Sequence, residues 1–213
     1  MTSQTGGGRF RLSVLNPGGR DPEQHFGEEV AIDPRAHAPV NFHAYAACTG
    51  GSFFREAEAA IAARAPVLIL LRGDFRASER ALAACQKAGL PVAVSLKETG
   101  LHQIAAQLRD AAKLRRFLAL VRQANGCIAP TPEAADIFRG FRGSAEQVAF
   151  IATPYPLHDP RWDFARPVAE RSGIFVGTRE WDVPSRNHLA ALAMARELSE
   201  ATGAHVTVYD FAG

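Results

Sequence analysis

Two arginines lie between an apolar segment and a predicted helix near the end of the chain. The apolar run 173–177 (GIFVG) ends on a glycine, and a helix is predicted to begin at Asn187. Arg179 and Arg186 lie in the loop between them. Amide groups at a helix N-terminus attract anions, and a guanidinium group offers paired donors to phosphate oxygens. The loop therefore predicts a diphosphate-binding site; arginines that contact only solvent are the alternative.

A pair of glycines follows the first predicted strand. Residues 10–16 alternate apolar and polar side chains, and Gly18 and Gly19 come directly after them in the sequence PGGR. Glycine adopts backbone conformations that strain other residues, and it lets a ligand approach the main chain closely. Two interpretations stay open: a simple tight turn, or a turn that contacts phosphate or an acceptor molecule.

Three side chains capable of acid–base chemistry follow another apolar segment. Lys97, Glu98 and His102 come after the run 90–96 (LPVAVSL), within the sequence KETGLH. At the carboxyl end of a buried strand, a carboxylate or an imidazole stands where α/β proteins bind their ligands. These residues are therefore candidate catalytic groups, and a surface loop that ends at Gly100 is the alternative.

Segments of strand and helix character alternate along most of the chain. Strands are predicted at 10–16, 39–47, 66–72, 90–96, 126–130 and 147–153. Helices are predicted at 53–65, 76–89 and 132–141, and two helical stretches within 101–125. Ser52 is expected to cap the helix 53–65, and Thr131 to cap the helix that begins with Pro132. Crossover helices of this length favour parallel strands. Residues 9–152 are therefore predicted to form a doubly wound, Rossmann-like α/β domain.

The ligand of such a domain is expected at the carboxyl ends of its strands. The residues predicted to lie there are 18–19, 48–52, 73–74, 97–102 and 131. Two other polar side chains, His43 and Tyr45, are expected to be packed in the core.

The composition changes after residue 152. Residues 153–172 contain four prolines and no clear periodicity, which predicts a linker. Beyond it, the runs 173–177 and 205–211 flank a predicted helix at 187–202 and form a single βαβ unit. Such a unit has too little apolar surface for a core of its own. We therefore expect it either to pack on the first domain or to be the beginning of a second domain in a longer protein.

Three segments resemble the central part of the retaining, GT4-like glycosyltransferases with the GT-B fold. They are 127–138 (CIAPTPEAADIF), 147–164 (QVAFIATPYPLHDPRWDF) and 173–199 (GIFVGTREWDVPSRNHLAALAMARELS). The resemblance implies an acceptor-side domain, a linker, and the first βαβ unit of a nucleotide-sugar domain at 173–213. It also implies that Arg179 and Arg186 bind the donor diphosphate and stabilise the leaving group.

The resemblance implies further roles in the first domain. Gly18 and Gly19 would approach the donor phosphates and the acceptor. The family usually has a histidine after the strand that corresponds to 90–96; here KETGLH follows, so the role would fall to Lys97, Glu98 or His102. The family's two donor-sugar glutamates, seven residues apart, are expected beyond Gly213.

The implied reaction is the transfer of a sugar from a nucleotide-diphosphate donor to a hydroxyl group of a glycan or a lipid-linked glycan. It belongs to polysaccharide or glycoconjugate biosynthesis and is expected to use no metal ion and no other cofactor. The alternative is a non-catalytic α/β binding module that is complete at 213 residues. A complete module should cover the apolar faces of 173–177 and 205–211.

Charge and motifs restrict the partners. Lys and Arg number 24 against 22 Asp and Glu, and their even distribution argues against nucleic acid. There is no GxxxxGK[ST] motif of P-loop NTPases, and no GxGxxG follows the first strand. Cys48, Cys85 and Cys127 lie far apart, which favours a reducing compartment and no metal site. A cytoplasmic protein is predicted, with the basic amphipathic segment 113–122 either in contact with a membrane surface or exposed to solvent.

Overall fold

A computed structural model describes residues 10–27, 30–31, 36–98, 100–144, 146–162, 167–178 and 187–210. The chain divides into two compact units, 1–162 and 163–213. This boundary falls inside the segment 153–172, for which the sequence predicts a linker.

The first unit is built on a seven-stranded sheet. Its strands are β1 (Ser13–Leu15), β2 (Gln24–His25), β3 (Ser52–Phe54), β4 (Val67–Leu71), β5 (Val92–Leu96), β6 (Gly126–Ala129) and β7 (Val148–Phe150). Their order is β2-β3-β1-β4-β5-β6-β7, and among the described strands all neighbours are parallel except β2 and β3. The predicted α/β class with a parallel, Rossmann-like sheet is confirmed.

Helices cover both faces of this sheet. They are α1 (Phe42–Cys48), α2 (Ala57–Ala62), α3 (Arg76–Lys87), α4 (Leu101–Leu108), α5 (Ala111–Gln123) and α6 (Pro132–Arg142). Side chains alternate along β4: Ile69 and Leu71 belong to a core with Phe117 of α5, whereas Leu70 belongs to a second core with Phe42 of α1. Helix α1 therefore packs on the opposite face of the sheet from α5.

Local sequence accounts for several helix boundaries. The Thr131 hydroxyl accepts a hydrogen bond from the Ala134 amide at 3.2 Å, and Pro132 occupies the first helical position of α6, as predicted. Helix α3 is followed by Gly89 at φ 74°, a conformation that glycine adopts without a steric penalty. These predicted ends are confirmed.

Two predictions between residues 39 and 65 are wrong. The segment 39–47 was expected to be a strand, but its second half forms α1, in which five consecutive residues from Phe42 are buried. A helix buried almost all round lacks amphipathic periodicity, so a short apolar run does not distinguish it from a strand. Ser52 does not cap a helix: it begins β3, and α2 starts only at Ala57.

The second unit contains one βαβ motif. Strands β8 (Ile174–Thr178) and β9 (Val206–Asp210) are parallel, and α7 (His188–Thr202) connects them, as predicted. Val176 of β8 and Ala195 of α7 are buried. Phe175 and Val208 are 69% and 48% exposed, so part of the unit's apolar surface contacts solvent. Among the helices that the structure describes, none is long and apolar enough to cross a membrane.

Candidate functional site

The sheet changes its winding direction between β1 and β4. After β1 the chain passes through α1 to its neighbour β3 on one side, and after β4 it passes through α3 to β5 on the other side. In open α/β sheets, ligands bind at such a switch point, outside the carboxyl ends of the strands. The loops that follow β1, β4 and β5 are therefore the candidate functional site.

The loop after β1, residues 16–21, is here called the Gly loop. Gly18 has φ 69°, and the Gly19 amide donates a 2.9 Å hydrogen bond to the Asn16 carbonyl. The Asn16 side chain is packed directly against Gly19: a Cβ atom added to Gly19 would lie 2.1 Å from Asn16 Nδ2. The two glycines thus make a tight turn, and the backbone lies close to the switch point.

Two cationic side chains from neighbouring strands bind the Gly loop. Arg72, directly after β4, donates a hydrogen bond from Nη1 to the Gly18 carbonyl at 2.5 Å. Lys97, directly after β5, places Nζ 2.6 Å from Asp21 Oδ2. The Lys97 amide also donates to the Leu71 carbonyl at 2.9 Å, so the two strand ends are aligned. Cations therefore contact the Gly loop at two positions, the Gly18 carbonyl and the Asp21 carboxylate.

The Lys97–Asp21 pair is partly withdrawn from solvent. The two side chains are 21% and 17% exposed, so water screens their attraction less than it does at an open surface. Asp21 Oδ2 also accepts a 2.8 Å hydrogen bond from Asn16 Nδ2. Lys97 Nζ lies 5.8 Å from the centre of the Phe42 ring, within range of a cation–π interaction. Several contacts therefore fix the position of the Lys97 ammonium group.

Two buried oxygen atoms near this edge lack a hydrogen-bond partner in the described part of the chain. They are Oδ1 of Asn16 and Oγ of Ser95, whose residues are 1% and 0% exposed. Ser95 lies beside Leu70 in the β4–β5 register, on the sheet face covered by α1. Buried polar atoms are nearly always hydrogen-bonded, so both atoms mark places where a water or ligand donor would be stabilised.

The other candidates after β5 lie at the start of α4. Glu98 is half-buried, and its Oε2 accepts a hydrogen bond from Gln103 at 3.4 Å. His102 is exposed in the first turn of the helix. Within the described ranges, neither residue forms a hydrogen bond or an ion pair with the Gly loop. The structure therefore brings Lys97 to the Gly loop and leaves Glu98 and His102 beside it.

Arg179 and Arg186 lie outside the described residues. The elements on either side are described: β8 ends at Thr178, and α7 begins at His188 after the N-cap residue Asn187. The strand and helix that bracket the predicted diphosphate loop are thus confirmed. The role of the two arginines stays a prediction.

Residues 48–52 were expected at the carboxyl edge, and this prediction is wrong. They run from the last residue of α1, which runs back along the sheet, to the first residue of β3, so they lie at the amino edge. The Thr49 hydroxyl accepts a 3.1 Å hydrogen bond from the amide of Leu12, just before β1. The error has the same origin as the strand predicted at 39–47, because replacing a strand by a helix reverses the edge at which the following loop emerges.

A cleft of about 530 Å³ opens at this amino edge. Its lining residues come from β2, the end of α1 and the segment after β7; they include Phe26, Cys48, Tyr155 and Leu157. Two of its polar side chains already have partners: His25 Nδ1 lies 3.0 Å from Ser52 Oγ, and Asp159 forms an ion pair with Arg161 at 2.6 Å. The cleft has volume, but it lies at the edge opposite the switch point, and these two polar side chains already have partners within the chain.

Two of the cysteines, Cys85 and Cys127, and the predicted core residues His43 and Tyr45 are packed inside the protein. Cys85 and Cys127 are buried, and burial raises the pKa of the Cys127 thiol to about 11. His43 is buried too, donates from Nε2 to the Pro22 carbonyl at 2.8 Å, and has a pKa lowered by burial to about 4. The predicted core placement of His43 and Tyr45 is confirmed. In the part of the chain that the structure describes, no cluster of His, Cys, Asp and Glu side chains is arranged to hold a metal ion.

Sequence reasoning missed three residues of the site: Asn16, Asp21 and Arg72. A signal was present, since Asn16 and Arg72 are the last residues of the predicted strands 10–16 and 66–72. Asp21 carried no such signal, because its partner Lys97 is 76 residues away and only the tertiary structure brings the two together.

Comparisons with known proteins identify no relative. No protein-family model matches the chain, and no curated protein and no solved structure matches it. The interpretation of the site therefore depends on its residues, its geometry and the sequence resemblance described above.

Proposed function

We propose that the chain acts in glycosyl transfer from a nucleotide-diphosphate sugar to a hydroxyl group of a glycan or a lipid-linked glycan. In this proposal, the first unit is the acceptor-side domain of a GT-B protein, and residues 173–213 belong to its nucleotide-sugar domain. The observation that carries the proposal is the contact of Arg72 with Gly18 and of Lys97 with Asp21 in the Gly loop at the switch point.

This arrangement suits a departing diphosphate. When the bond between sugar and diphosphate breaks, negative charge grows on the phosphate oxygens, and fixed cations nearby stabilise the transition state more than the ground state. Arg72 and Lys97 supply two such cations beside a glycine turn that allows close approach. In the proposal, Arg179 and Arg186 keep the role in binding the donor diphosphate that the sequence resemblance implies.

The acceptor hydroxyl needs a hydrogen-bond partner on the same side. Glu98 and His102 follow the strand that ends at Lys97, and both are at least partly accessible to solvent. A carboxylate or an imidazole there orients a hydroxyl group by accepting its proton in a hydrogen bond. The proposal therefore keeps these two residues as the acceptor-orienting candidates, and it includes no metal cofactor.

The proposal is tested with nucleoside diphosphates and their sugars. Binding of UDP, GDP and ADP is measured by calorimetry, and release of nucleoside diphosphate is followed for the corresponding sugar donors. We expect one nucleotide to bind, and Lys97→Met or the double change Arg179→Ala and Arg186→Ala to weaken its affinity at least about tenfold, or about 1.4 kcal/mol.

Lys87→Met provides the matched control. Lys87 is an exposed lysine in the last turn of α3, at the opposite edge of the sheet, so its loss should leave nucleotide binding unchanged. Equal effects of the two lysine changes, or the absence of any nucleotide binding, contradict the proposal. Binding without turnover of any sugar nucleotide supports the non-catalytic binding module instead.

A further inference from the structure

In the Gly loop, the Asp21 carboxylate occupies the position beside Lys97 that a phosphate group of the proposed ligand would take. Asp21 Oδ2 lies 2.6 Å from Lys97 Nζ, which is the contact that a phosphate oxygen would make with this lysine. A phosphate that reaches Lys97 must therefore either join Asp21 there or replace it. Adding a phosphate beside the carboxylate brings like charges together, which disfavours the first arrangement.

The surroundings of Asp21 favour replacement. Both side chains of the pair are partly accessible, at 17% and 21%, so the contact can open toward solvent. The Lys97 ammonium group can exchange one acceptor for another while staying in place, and Asp21 keeps its hydrogen bond from Asn16 Nδ2 at 2.8 Å. The glycines at 18 and 19 lie between these residues and allow the turn to adjust.

Asn16 places an unsatisfied acceptor next to the Lys97–Asp21 pair. Its side chain is almost completely buried, yet Oδ1 has no hydrogen-bond donor in the described part of the chain. Such an atom costs free energy in the folded protein unless a partner arrives. A rearrangement of the Gly loop around a ligand gives that oxygen the opportunity to gain one.

We propose that Asp21 is the internal counter-anion of Lys97 and that a diphosphate group binds the Gly loop by replacing it. This inference rests on the proposed diphosphate site and adds its mode of binding. A diphosphate carries more negative charge than one carboxylate and offers more acceptor oxygens, so it gains from the exchange. A ligand with a single carboxylate would replace the Asp21 carboxylate by an equivalent group, so its binding gains little free energy. The site is therefore selective for phosphate-rich ligands.

Asp21→Asn is the decisive substitution, because it preserves the shape of the side chain and removes its charge. Inorganic pyrophosphate is titrated into the wild-type chain and into Asp21→Asn, Lys97→Met and the double variant. We expect Asp21→Asn to bind pyrophosphate about tenfold more tightly than the wild type, because Lys97 no longer has a competing anion. Lys97→Met should weaken binding by a similar factor, and the double variant should bind no better than Lys97→Met.

Asp136→Asn is the matched control for net charge. Asp136 is an exposed residue of α6 that pairs with Arg139, and its loss should not change pyrophosphate affinity. If Asp21→Asn binds no more tightly than the wild type, the exchange is wrong. The exchange is also wrong if the double variant gains as much pyrophosphate affinity as Asp21→Asn, because that gain then does not depend on Lys97.

A second measurement on the wild-type chain covers the case in which Asp21→Asn does not fold. Pyrophosphate should shift the nuclear magnetic resonance signals of the Lys97 ammonium nitrogen and the Asp21 carboxyl carbon at the same ligand concentration. Unchanged signals at saturating pyrophosphate contradict the exchange. A titration with UDP distinguishes a nucleoside diphosphate from free diphosphate as the ligand. We expect UDP to bind more tightly than pyrophosphate and to rank the variants in the same order. Equal UDP affinity for all variants overturns the proposal.

The outcomes separate this inference from the proposed function. If pyrophosphate binding follows the expected order and no sugar nucleotide is turned over, the exchange is supported and glycosyl transfer is not. If turnover requires Lys97 but Asp21→Asn does not strengthen pyrophosphate binding, glycosyl transfer is supported and the exchange is overturned.

Discussion

The two edges of the seven-stranded sheet differ in how their polar groups are satisfied. At the amino edge, neighbouring backbone groups pair with one another: the Gly51 amide donates to Ala46 at 2.9 Å, and Ser52 donates to Leu12 at 3.2 Å. At the carboxyl edge, a charge pair joins loops that are distant in sequence, and the Asn16 side-chain oxygen has no partner in the described part of the chain. The amino edge is satisfied by short backbone contacts, and the carboxyl edge is the place of the partner exchange that we propose.

The cleft and the cationic groups of the candidate site lie at different edges of the sheet. The cleft of about 530 Å³ is at the amino edge, whereas the cations lie at the carboxyl edge beside a narrow glycine turn. A phosphate group needs directed donors and positive charge more than it needs a wide apolar cavity. The difference predicts that substitutions at the amino edge change stability and that those at the carboxyl edge change ligand binding.

The largest expected effect is that of Gly51→Ala at the amino edge. A Cβ atom there would lie 2.0 Å from the Leu12 carbonyl oxygen, so two backbone segments must move apart. We expect a loss of about 4 kcal/mol in the free energy of unfolding, measured with urea. Gly140→Ala in α6 is the control, because no atom lies within 4 Å of its added Cβ and alanine favours helix by up to about 1 kcal/mol. If the two variants were equally stable, the close backbone packing at the amino edge would not contribute to stability as expected.

The second effect is the pH dependence of stability caused by His43. Its pKa is lowered to about 4 in the folded chain, mainly by burial, against 6.5 for an exposed histidine. Between these values the unfolded chain binds a proton that the folded chain does not. Stability should therefore fall as the pH drops from 6.5 to 4, by up to about 3 kcal/mol from this residue.

His43→Phe tests this origin. Phenylalanine retains a ring against Phe53, whose centre lies 3.7 Å from that of His43. Urea unfolding at several pH values should show a smaller loss of stability between pH 6.5 and 4 in the variant than in the wild type. Parallel pH profiles of the two proteins would show that another group titrates.

Gly19→Ala should have a smaller effect on stability and a larger one on ligand binding. The added Cβ would meet the Asn16 side chain rather than backbone, so Asn16 can turn away at the loss of its hydrogen bond to Asp21. We expect a destabilisation of about 1–2 kcal/mol and a clear loss of UDP affinity, since the Gly loop is displaced. Gly18→Ala should cost only about 1 kcal/mol, from its positive φ, because its nearest contact is 3.8 Å away. Unchanged UDP affinity in Gly19→Ala would show that the Gly loop is not part of the ligand site.

The smallest effect concerns thiol reactivity. Burial raises the pKa of all three thiols, but Cys48 is exposed at the amino edge, whereas Cys85 and Cys127 are buried. A disulfide reagent at pH 8 should label Cys48 first, and the other two only after unfolding. Cys48→Ser should leave UDP binding unchanged. Reduced UDP affinity in this variant would extend the ligand site to the amino edge.

Much of the fold follows from local patterns. The apolar runs at β4 and β5 are long enough and suitably bounded to predict buried strands, and the Thr131–Pro132 pair predicts the start of α6. Each pattern is complete within a few residues, because hydrogen bonds of caps and turns and the burial of one face depend on near neighbours. The position of Lys97 at a strand end follows from the same reasoning.

The remainder was decided by tertiary structure. Helix α1 is buried on nearly all sides, so the periodicity that identifies a surface helix is absent, and the edge assigned to 48–52 was wrong as a consequence. The order of the strands, and with it the contacts of Arg72 with Gly18 and of Lys97 with Asp21, depends on how the whole sheet buries its two faces. The sequence by itself thus determined the elements and the charges they carry. Which charges meet was decided by long-range packing, because its free energy is shared among segments that no local pattern connects.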